Sequence, residues 1–505
     1  MRLGPTRPKA CFTTRARICF SSPLFLYVVA RGNLGFSERF LLLPPISSGK
    51  MSLVFLIFQR HMTKYRTEKD ALGEVSVPKD AYFGSFTSRA LDNFQISDMS
   101  APEEFCTALG YVKLAAARAN KKLGELGAKE AKAIDKAALE FIDGKFDSEF
   151  MLDVFQAGAG TSYNMNANEI IANRANEILG GKKGEYEYVH PNNHVNMAQS
   201  SNDVIPTATR IALVMMSKWL TAELEDFIKS LEAKGREFKS IQKVGRTHLQ
   251  DAVPITLGQE FTAYAQAIKN SLESLKEAIS ALKQLGIGGT AIGTGVNTHP
   301  KFKDTIIAEL SELTGEKFSK APNSITTTHS MQVFSRYSAS LRNLAIEIHR
   351  IMGDIRLMNA GPRAGVREIK LPKVQPGSSI MPAKLNPSIP ECMSMICGQV
   401  IGADSVVVFA AQGGQFELNW YTPLIMFNMT MAVRILENGL RMTREKCIDG
   451  IEACEAEIKG SFDRSLCTAT ELVPKLGYHE VTRLVKEAMK SGKGLREVMD
   501  DEDRV

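Results

Sequence analysis

Four long amphipathic segments most constrain what this chain can fold into. They span residues 205–238, 257–285, 329–359 and 391–411. In each, apolar residues recur at three- and four-residue intervals over many turns, as they do on one face of a helix. Helices of this length with few internal caps indicate a helix bundle. Residues 392–408 are apolar around more than one stripe, which predicts burial against more than one neighbouring helix. We therefore predict an all-α fold.

Composition indicates a globular protein without a nucleic-acid-binding face. The 505 residues are 44% hydrophobic and 23% charged, which suffices for a large core and several domains. The chain has 62 basic and 56 acidic residues. Residues 1–61 contain nine of the basic residues and one of the acidic ones, so the remainder has 53 basic and 55 acidic residues. A nucleic-acid partner needs a basic face, and a near-neutral body offers none. The short apolar runs near the N-terminus fall below the roughly 18 residues that span a bilayer, so no membrane partner is expected.

The cysteines predict reduced, packed thiols. They lie at positions 11, 19, 106, 392, 397, 447, 454 and 467. No CxxC pair and no His–Cys cluster occurs among them, although structural metal sites need such clusters. The sequence therefore predicts no metal site, and nothing in it suggests an organic cofactor.

A polar loop joins two of the long helices. Residues 377–387 read GSSIMPAKLNP, and the prolines at 382 and 387 each lack a donor and restrict the residue before them. The loop gathers two hydroxyls, a lysine and an amide between rigid helices, where binding and catalytic residues usually lie. From spacing alone, a long connection with incidental polar residues remains the other interpretation.

This loop resembles the signature loop of the aspartase/fumarase superfamily. Two further strings agree with it, GAGTSYNMNAN at 158–168 and GRTHLQDAVPITLGQ at 245–259. The resemblance runs from about residue 65 to about residue 496. It implies a three-domain helical fold whose long central helices assemble into a tetrameric helical core. It also implies that three subunits of a homotetramer share each active site.

The resemblance divides the chain into four parts. Residues 62–202 correspond to an N-terminal lyase domain, 203–454 to the central bundle with the signature loop, and 455–505 to a shortened C-terminal helical domain. Residues 1–61 are Arg-rich and acid-poor, as organelle transit segments are. Because the resemblance begins just after Met62, an over-extended gene model is the other interpretation. The arm is expected to be disordered, and the protein cytoplasmic, or mitochondrial if the arm is a genuine transit segment.

A fumarate-forming lyase must remove a weakly acidic proton beside a carboxylate and expel ammonia or water from the next carbon. It needs a base and donors that stabilise a doubly charged aci-carboxylate. The resemblance implies that Ser378 is the base, acting as an alkoxide, and that Ser379 shapes the loop. Lys384 would supply a full positive charge for the intermediate, and Asn386 an oriented donor.

Two other strings supply candidate substrate contacts. Thr161 and Ser162 follow glycines that let a ligand approach the backbone closely. Ser200, Ser201 and Asn202 resemble the second substrate-contact segment of the superfamily. The same three residues are also typical of a helix N-cap, and the two roles are compatible because helix N-termini attract anions.

The third string carries Thr247 and His248. We interpret His248 as lying on a helix, where a lone histidine is more often a core residue than a catalytic one. The resemblance implies instead that it pairs with Glu391, seven residues beyond Lys384. The carboxylate would hold the tautomer and charge of the ring.

Two enzymes of the superfamily remain as alternatives. GAGTS and MPAK resemble aspartases, whereas QSSNDV, NTHP and GQFELN resemble fumarases. Ala159 lacks a hydroxyl that fumarases carry and that could hold a leaving water. The sequence therefore favours aspartate ammonia-lyase acting on a small dicarboxylate, L-aspartate, with class II fumarate hydratase as the alternative. A non-catalytic helical scaffold is the remote alternative.

Overall fold

The computed structural model describes residues 16–20, 26–30 and 64–501. Strands β1 (Ala16–Phe20) and β2 (Leu26–Ala30) pair antiparallel. The rest of 1–61 lies outside the described residues, as do the predictions of a disordered arm, a transit segment or a gene-model extension that fall on it.

Helices make up most of the described chain, so the predicted all-α class is confirmed. Helices α1 to α15 are Ser85–Asn93, Glu103–Lys122, Ala128–Ile142, Thr161–Ile178, Ser201–Glu237, Leu257–Leu282, Phe302–Thr314, Ser324–His329, Gln332–Met358, Ser388–Gln412, Thr422–Lys446, Glu455–Arg464, Ala469–Leu476, Tyr478–Ser491 and Leu495–Asp501. Strands β3 to β10 are Tyr65–Asp70, Gly73–Pro78, Gln242–Thr247, Gln250–Thr256, Gln284–Leu285, Ser319–Lys320, Ile369–Lys370 and Glu452–Ala453.

Five long helices form a closed ring at the centre of the fold. Helix α5 packs against α6, α6 against α9, α9 against α10, α10 against α11, and α11 returns to α5. Helices α5 and α6 both begin with a capping box, in which the N-cap hydroxyl and the side chain three residues later exchange hydrogen bonds with backbone N–H groups. These caps fix where the bundle helices begin, and hence where the loops between them emerge.

Helix α10 buries one apolar stripe within the chain. Met393 and Cys397 lie on that stripe against α9 and α11, whereas Met395 is 69% and Phe409 62% exposed. In the described part of the chain, α10 is the one helix long and apolar enough to cross a membrane. It also carries buried Asp404, which accepts hydrogen bonds from Ser338 and Arg342 of α9. The exposed stripe therefore belongs to a helix anchored in the bundle by a buried polar network.

Smaller units flank the bundle. Helix α2 packs against α3, α5 and α7, and α4 packs against α3. Near the C-terminus a separate apolar cluster joins α14 and α15 through Leu484, Ala488, Leu495 and Val498. The domain limits 62–202, 203–454 and 455–505 stay predictions.

Candidate active site

The first candidate segment is a tight turn that starts α4. Residues Gly158–Gly160 form one 3₁₀ turn, after which Thr161 begins the helix. Gly160 has φ of 70°, and a Cβ there would lie 3.0 Å from the Ile205 side chain. Only glycine satisfies both conditions without strain. The turn therefore brings the N-terminus of α4 against the first turns of α5.

The second segment caps α5. The Ser200 side chain accepts a hydrogen bond from the Asn202 N–H at 3.3 Å, as expected of an N-cap. The Asn202 side chain donates to the Ala291 carbonyl at 2.8 Å. Ser201 is buried next to this cap. The predicted N-cap is present, and it leaves the Ser201 hydroxyl beside the end of the helix.

A side-chain hydrogen bond joins the two segments. Asn164 on α4 donates from Nδ2 to Ser201 Oγ at 3.2 Å. Ser162 is buried, and its hydroxyl has no partner among the residues described. Two adjacent helix N-termini thus meet, with Thr161, Ser162 and Ser201 between them. Unpaired backbone N–H groups and aligned helix dipoles make such a place suited to an anion.

Beneath these N-termini lies a buried lysine that was not singled out from the sequence. Lys113 of α2 is fully buried, and its Nζ lies 2.6 Å from Asn164 Oδ1, 2.9 Å from Gln199 Oε1 and 3.2 Å from Asn196 Oδ1. Burial lowers the pKa of Lys113 to about 7, while the nearby charge of Asp203 opposes that shift. A lone lysine amid apolar residues of a helix was the available signal.

Asp203 is the second buried charge under the site. It accepts backbone hydrogen bonds from Ser200 at 2.9 Å, Gly288 at 3.0 Å and Thr290 at 2.8 Å. Burial raises its pKa to about 6, although these donors and the Lys113 charge oppose the rise. Asp203 therefore ties the start of α5 to the 288–290 turn.

The signature loop is closed by two internal hydrogen bonds. The Gly377 N–H donates to the Lys384 carbonyl, and Asn386 Nδ2 donates to the Gly377 carbonyl, both at 2.8 Å. The predicted carboxylate donor Asn386 thus closes the loop in this conformation. Lys384 and Ser379 are exposed. Residues 377–387 therefore form a closed arch that is exposed to solvent.

Ser378 lies at the centre of this arch. Its Oγ accepts hydrogen bonds from the backbone N–H groups of Met381 at 2.9 Å and Ile380 at 3.2 Å. Two donors aimed at one oxygen stabilise negative charge on it. Ser378 is half-buried and Ile380 is 85% exposed. The donors that an alkoxide requires are therefore present, whereas the surrounding loop faces water in the single chain.

The prediction that His248 lies on a helix is wrong. Thr247 ends β5, and the two-residue loop His248–Leu249 connects it to β6. Both loop residues have positive φ, 55° and 60°, which is the geometry of the tight turns favoured in hairpins. Glu391 lies in the first turn of α10. Within the described chain no hydrogen bond or ion pair joins His248 to Glu391.

The single chain thus brings together two of the four candidate segments. The α4 and α5 N-termini meet through Asn164 and Ser201. The hairpin turn and the signature loop are exposed, and neither forms a hydrogen bond with those N-termini in residues 64–501. In the same described part, no group of three or more His, Cys, Asp or Glu side chains is arranged to hold a metal ion.

The described chain thus combines a five-helix ring, paired helix N-termini and a serine-bearing loop. The lyase family model matches residues 73–402. An aspartate ammonia-lyase from Pseudomonas canavaninivorans is 45% identical over 441 residues, 87% of this chain and 93% of that protein. The mitochondrial fumarate hydratase of Saccharomyces cerevisiae is 43% identical over 445 residues, 88% of this chain and 91% of that protein.

Solved structures agree with this result. The crystal structure of a fumarate lyase:delta crystallin from Brucella melitensis superimposes with a TM-score of 0.84 at 44% identity, covering 87% of this chain and 96% of that one. The chain belongs to the lyase family, within the aspartase/fumarase superfamily.

Proposed function

We propose that this protein is a fumarate-forming lyase, specifically an aspartate ammonia-lyase that converts L-aspartate to fumarate and ammonia. The proposal is carried by the observation that the Ser378 hydroxyl accepts hydrogen bonds from two backbone N–H groups within the closed arch. Membership in the lyase family and relatives named aspartate ammonia-lyase support the same reaction class.

The Ser378 alkoxide removes the Cβ proton of the substrate. The electron pair enters the neighbouring carboxylate, which becomes a doubly charged aci-carboxylate stabilised by Lys384. The pair then returns to form the C=C bond, the C–N bond breaks, and ammonia leaves. Ser378 keeps the proton and releases it to solvent. The reaction is balanced without an oxidant or a cofactor.

The paired helix N-termini hold the other end of the substrate. Thr161, Ser162, Ser200, Ser201 and Asn202 supply uncharged donors there, next to aligned helix dipoles. Hydroxyl and amide donors orient a carboxylate without adding a second fixed positive charge. The substrate is therefore held at one end while the signature loop reacts at the other.

The remaining candidates complete the arch and the hairpin. Ser379 contributes loop shape. Asn386 keeps the loop closed onto Gly377 with one N–H of its amide and donates the other N–H to the substrate carboxylate. Thr247, in the hairpin, donates a hydrogen bond from its hydroxyl to the substrate. His248 is assigned to the same site, with Glu391 as its carboxylate partner.

The active protein is a homotetramer in which three subunits share each site. The hairpin and the signature loop are exposed and, within the described residues, form no hydrogen bond with the helix N-termini, so one chain carries an incomplete site. The apolar face of α10 supplies a surface that a second copy covers, since Met395 and Phe409 are mostly exposed. Subunit assembly would bury this face and exclude water from the signature loop.

Ala159 favours ammonia as the leaving group. It lies in the α4 turn with φ of 58°, its side chain is buried, and its N–H donates to the Trp420 carbonyl at 2.8 Å. A methyl group at this point offers no hydrogen bond to a leaving water. Class II fumarate hydratase, acting on L-malate, is the second candidate, because a fumarate hydratase is similar at nearly the same identity.

Fumarate absorbance tests both reactions with the full chain. Turnover of L-aspartate alone supports the proposal, and turnover of L-malate alone makes the protein a fumarase. If neither substrate is turned over, the non-catalytic helical scaffold is the remaining interpretation.

Ser378→Ala is expected to abolish turnover without changing assembly, because it removes the base from an exposed loop. Ser148→Ala, at an exposed serine of the N-terminal region, is the matched control. Full turnover by Ser378→Ala would remove Ser378 as the base.

The protein is placed in the cytoplasm under this proposal, or in mitochondria if residues 1–61 are a transit segment. One similar protein is named a mitochondrial enzyme. Fractionation of cells that express the full chain with a C-terminal tag separates the two locations.

A further inference from the structure

Lys113 contacts both substrate-binding segments from below. Its ammonium group reaches Asn164 on α4, together with Asn196 and Gln199 in the turn that leads into α5. All three contacts are to amide oxygens, and no ion pair is formed by Lys113 within the described chain. A buried ammonium group without a paired carboxylate is costly, so its retention calls for a function.

We infer that Lys113 is a positioning residue, which fixes the direction of the hydrogen bonds that reach the substrate-binding hydroxyl of Ser201. The inference rests on the proposed function, because Ser201 matters only if substrate binds between the two helix N-termini.

While Lys113 is protonated, its ammonium group sets the direction because it only donates hydrogen bonds. Asn164 must therefore turn its Oδ1 toward Lys113, which leaves Nδ2 on the opposite side. From there Nδ2 donates to Ser201 Oγ at 3.2 Å and to Asn196 Oδ1 at 3.1 Å. An asparagine amide can otherwise face either way, so the lysine removes a two-fold ambiguity.

The consequence falls on Ser201. Its hydroxyl has one proton to donate, and its oxygen already accepts from Asn164. The proton is therefore free to point to a bound carboxylate. If the Asn164 amide turned over, its oxygen would face Ser201 and would take that proton. The hydroxyl would then present a lone pair to an anionic substrate.

The same lysine fixes the turn before α5. Gln199 directs its Oε1 to Lys113 and donates from Nε2 to the Val195 carbonyl at 2.9 Å and the Met197 carbonyl at 3.1 Å. Asn196 donates from Nδ2 to the Gln199 carbonyl at 3.3 Å. Each amide group around Lys113 is thus oriented, and the turn is held where Ser201 begins the helix.

Asn164→Asp separates positioning from structural support. The new carboxylate keeps an acceptor for Lys113 and gives the buried ammonium group a counter-charge. This attraction offsets the lost hydrogen bond to Asn196 Oδ1, so thermal stability should be retained. It removes the N–H donor, so the Ser201 proton turns inward. Loss of one hydrogen bond to a charged substrate predicts a fall in kcat/KM of about tenfold to a hundredfold.

Two further variants complete the experiment. Lys113→Met should lower kcat/KM by a similar factor, whereas Lys121→Met, at an exposed position of the same helix, should leave it unchanged. Ser201→Ala should cost activity in the wild type and little more in the Asn164→Asp background, because the hydroxyl is already turned away there. Because Asn164 and Ser201 are in contact, a structural role would make the pair non-additive in melting temperature as well, whereas positioning predicts non-additivity in kcat/KM at an unchanged melting temperature.

The measurements are kcat/KM for fumarate formation and thermal unfolding of each full-length variant at about pH 6, where a pKa of about 7 leaves Lys113 mostly protonated. Stable Asn164→Asp protein with reduced kcat/KM and a non-additive Ser201→Ala cycle supports the inference. Wild-type kcat/KM in Asn164→Asp, or full additivity in the cycle, overturns it while leaving the proposed function intact. Should Lys113→Met fail to fold, the Asn164→Asp cycle decides by itself. Absence of turnover in the wild type on both substrates removes the proposed function, and this inference with it.

Discussion

Gly377→Ala tests whether the closed signature loop is needed for turnover. A Cβ at this position would lie 2.7 Å from the Asn386 backbone nitrogen and 2.7 Å from the Lys384 carbonyl oxygen. Both neighbours are backbone atoms, which cannot move aside as the end of a side chain can. The methyl group therefore forces the two ends of the arch apart, at the point where the hydrogen bonds that close the arch form.

The magnitude follows from the bonds that are lost. The N–H of Gly377 donates to Lys384, and its carbonyl accepts from Asn386, each at 2.8 Å. Each such bond contributes about 0.5–1.5 kcal/mol net, so the closed loop loses about 1–3 kcal/mol. Its population, and kcat/KM with it, should fall by about 5- to 150-fold. The melting temperature should not change, because the loop is exposed and buries little apolar surface.

The assay is initial-rate fumarate formation, paired with thermal unfolding. Gly460→Ala is the matched control: a Cβ there meets only the end of the flexible Arg464 side chain, at 3.3 Å, so kcat/KM should stay at the wild-type value. The melting temperature should not fall, because alanine favours the helix that contains Gly460. Wild-type kcat/KM in Gly377→Ala would refute the reasoning, because the closed arch would then be dispensable. A large fall in melting temperature would also refute it, by showing that the loop supports the fold.

Three further predictions concern assembly and charge. Phe409→Asp should reduce the mass measured by light scattering and abolish turnover, because it places a carboxylate on the exposed apolar face of α10; an unchanged mass would exclude this face as an interface. Subunits with Ser378→Ala, refolded together with subunits carrying Ser201→Ala, should recover part of the activity, whereas no recovery would place both serines of a site in one chain. Between pH 7 and 9 the wild type should gain stability relative to Lys113→Met. Folded Lys113 loses its proton near pH 7 and the unfolded residue only near 10.5, so the unfolded state binds more protons. The gain, at most about 1.4 kcal/mol per pH unit, is measured by urea unfolding, and parallel pH curves would show that Lys113 does not titrate there.

The sequence predicts the helices well because their apolar spacing is long and regular. The predicted segment 257–285 corresponds to helix Leu257–Leu282, and 391–411 to Ser388–Gln412. Hairpins β3–β4 and β5–β6 were not predicted. They are mostly polar two-stranded ribbons. In β3, exposed and less exposed positions alternate, but the less exposed ones are Arg66, Glu68 and Asp70, so no alternation of apolar and polar residues reveals the strand. The error about His248 follows from this, because the hairpin was interpreted as part of a helix.

The site divides in the same way between local and long-range information. Capping by Ser200 is local, since an N-cap bonds within its own first turn, and it could be predicted from four residues. The contact between Asn164 and Ser201 crosses two helices, and Lys113 lies on a third. No spacing along the chain encodes such a meeting. Only the polarity of a lysine within an apolar helix face indicated that α2 carries something other than core.

The division of charge across the fold explains why catalysis should depend on assembly. The helix N-termini around Ser201 provide partial positive charge and hydroxyl donors, which suffice to hold a carboxylate. A doubly charged intermediate needs more, and the full charge of Lys384 lies on an exposed loop that does not touch those N-termini within the chain. Water screens an exposed charge strongly, so under the proposed function Lys384 would stabilise the intermediate only when another subunit encloses it. The proposed function therefore predicts that the two halves of the site become a catalyst only where subunits meet.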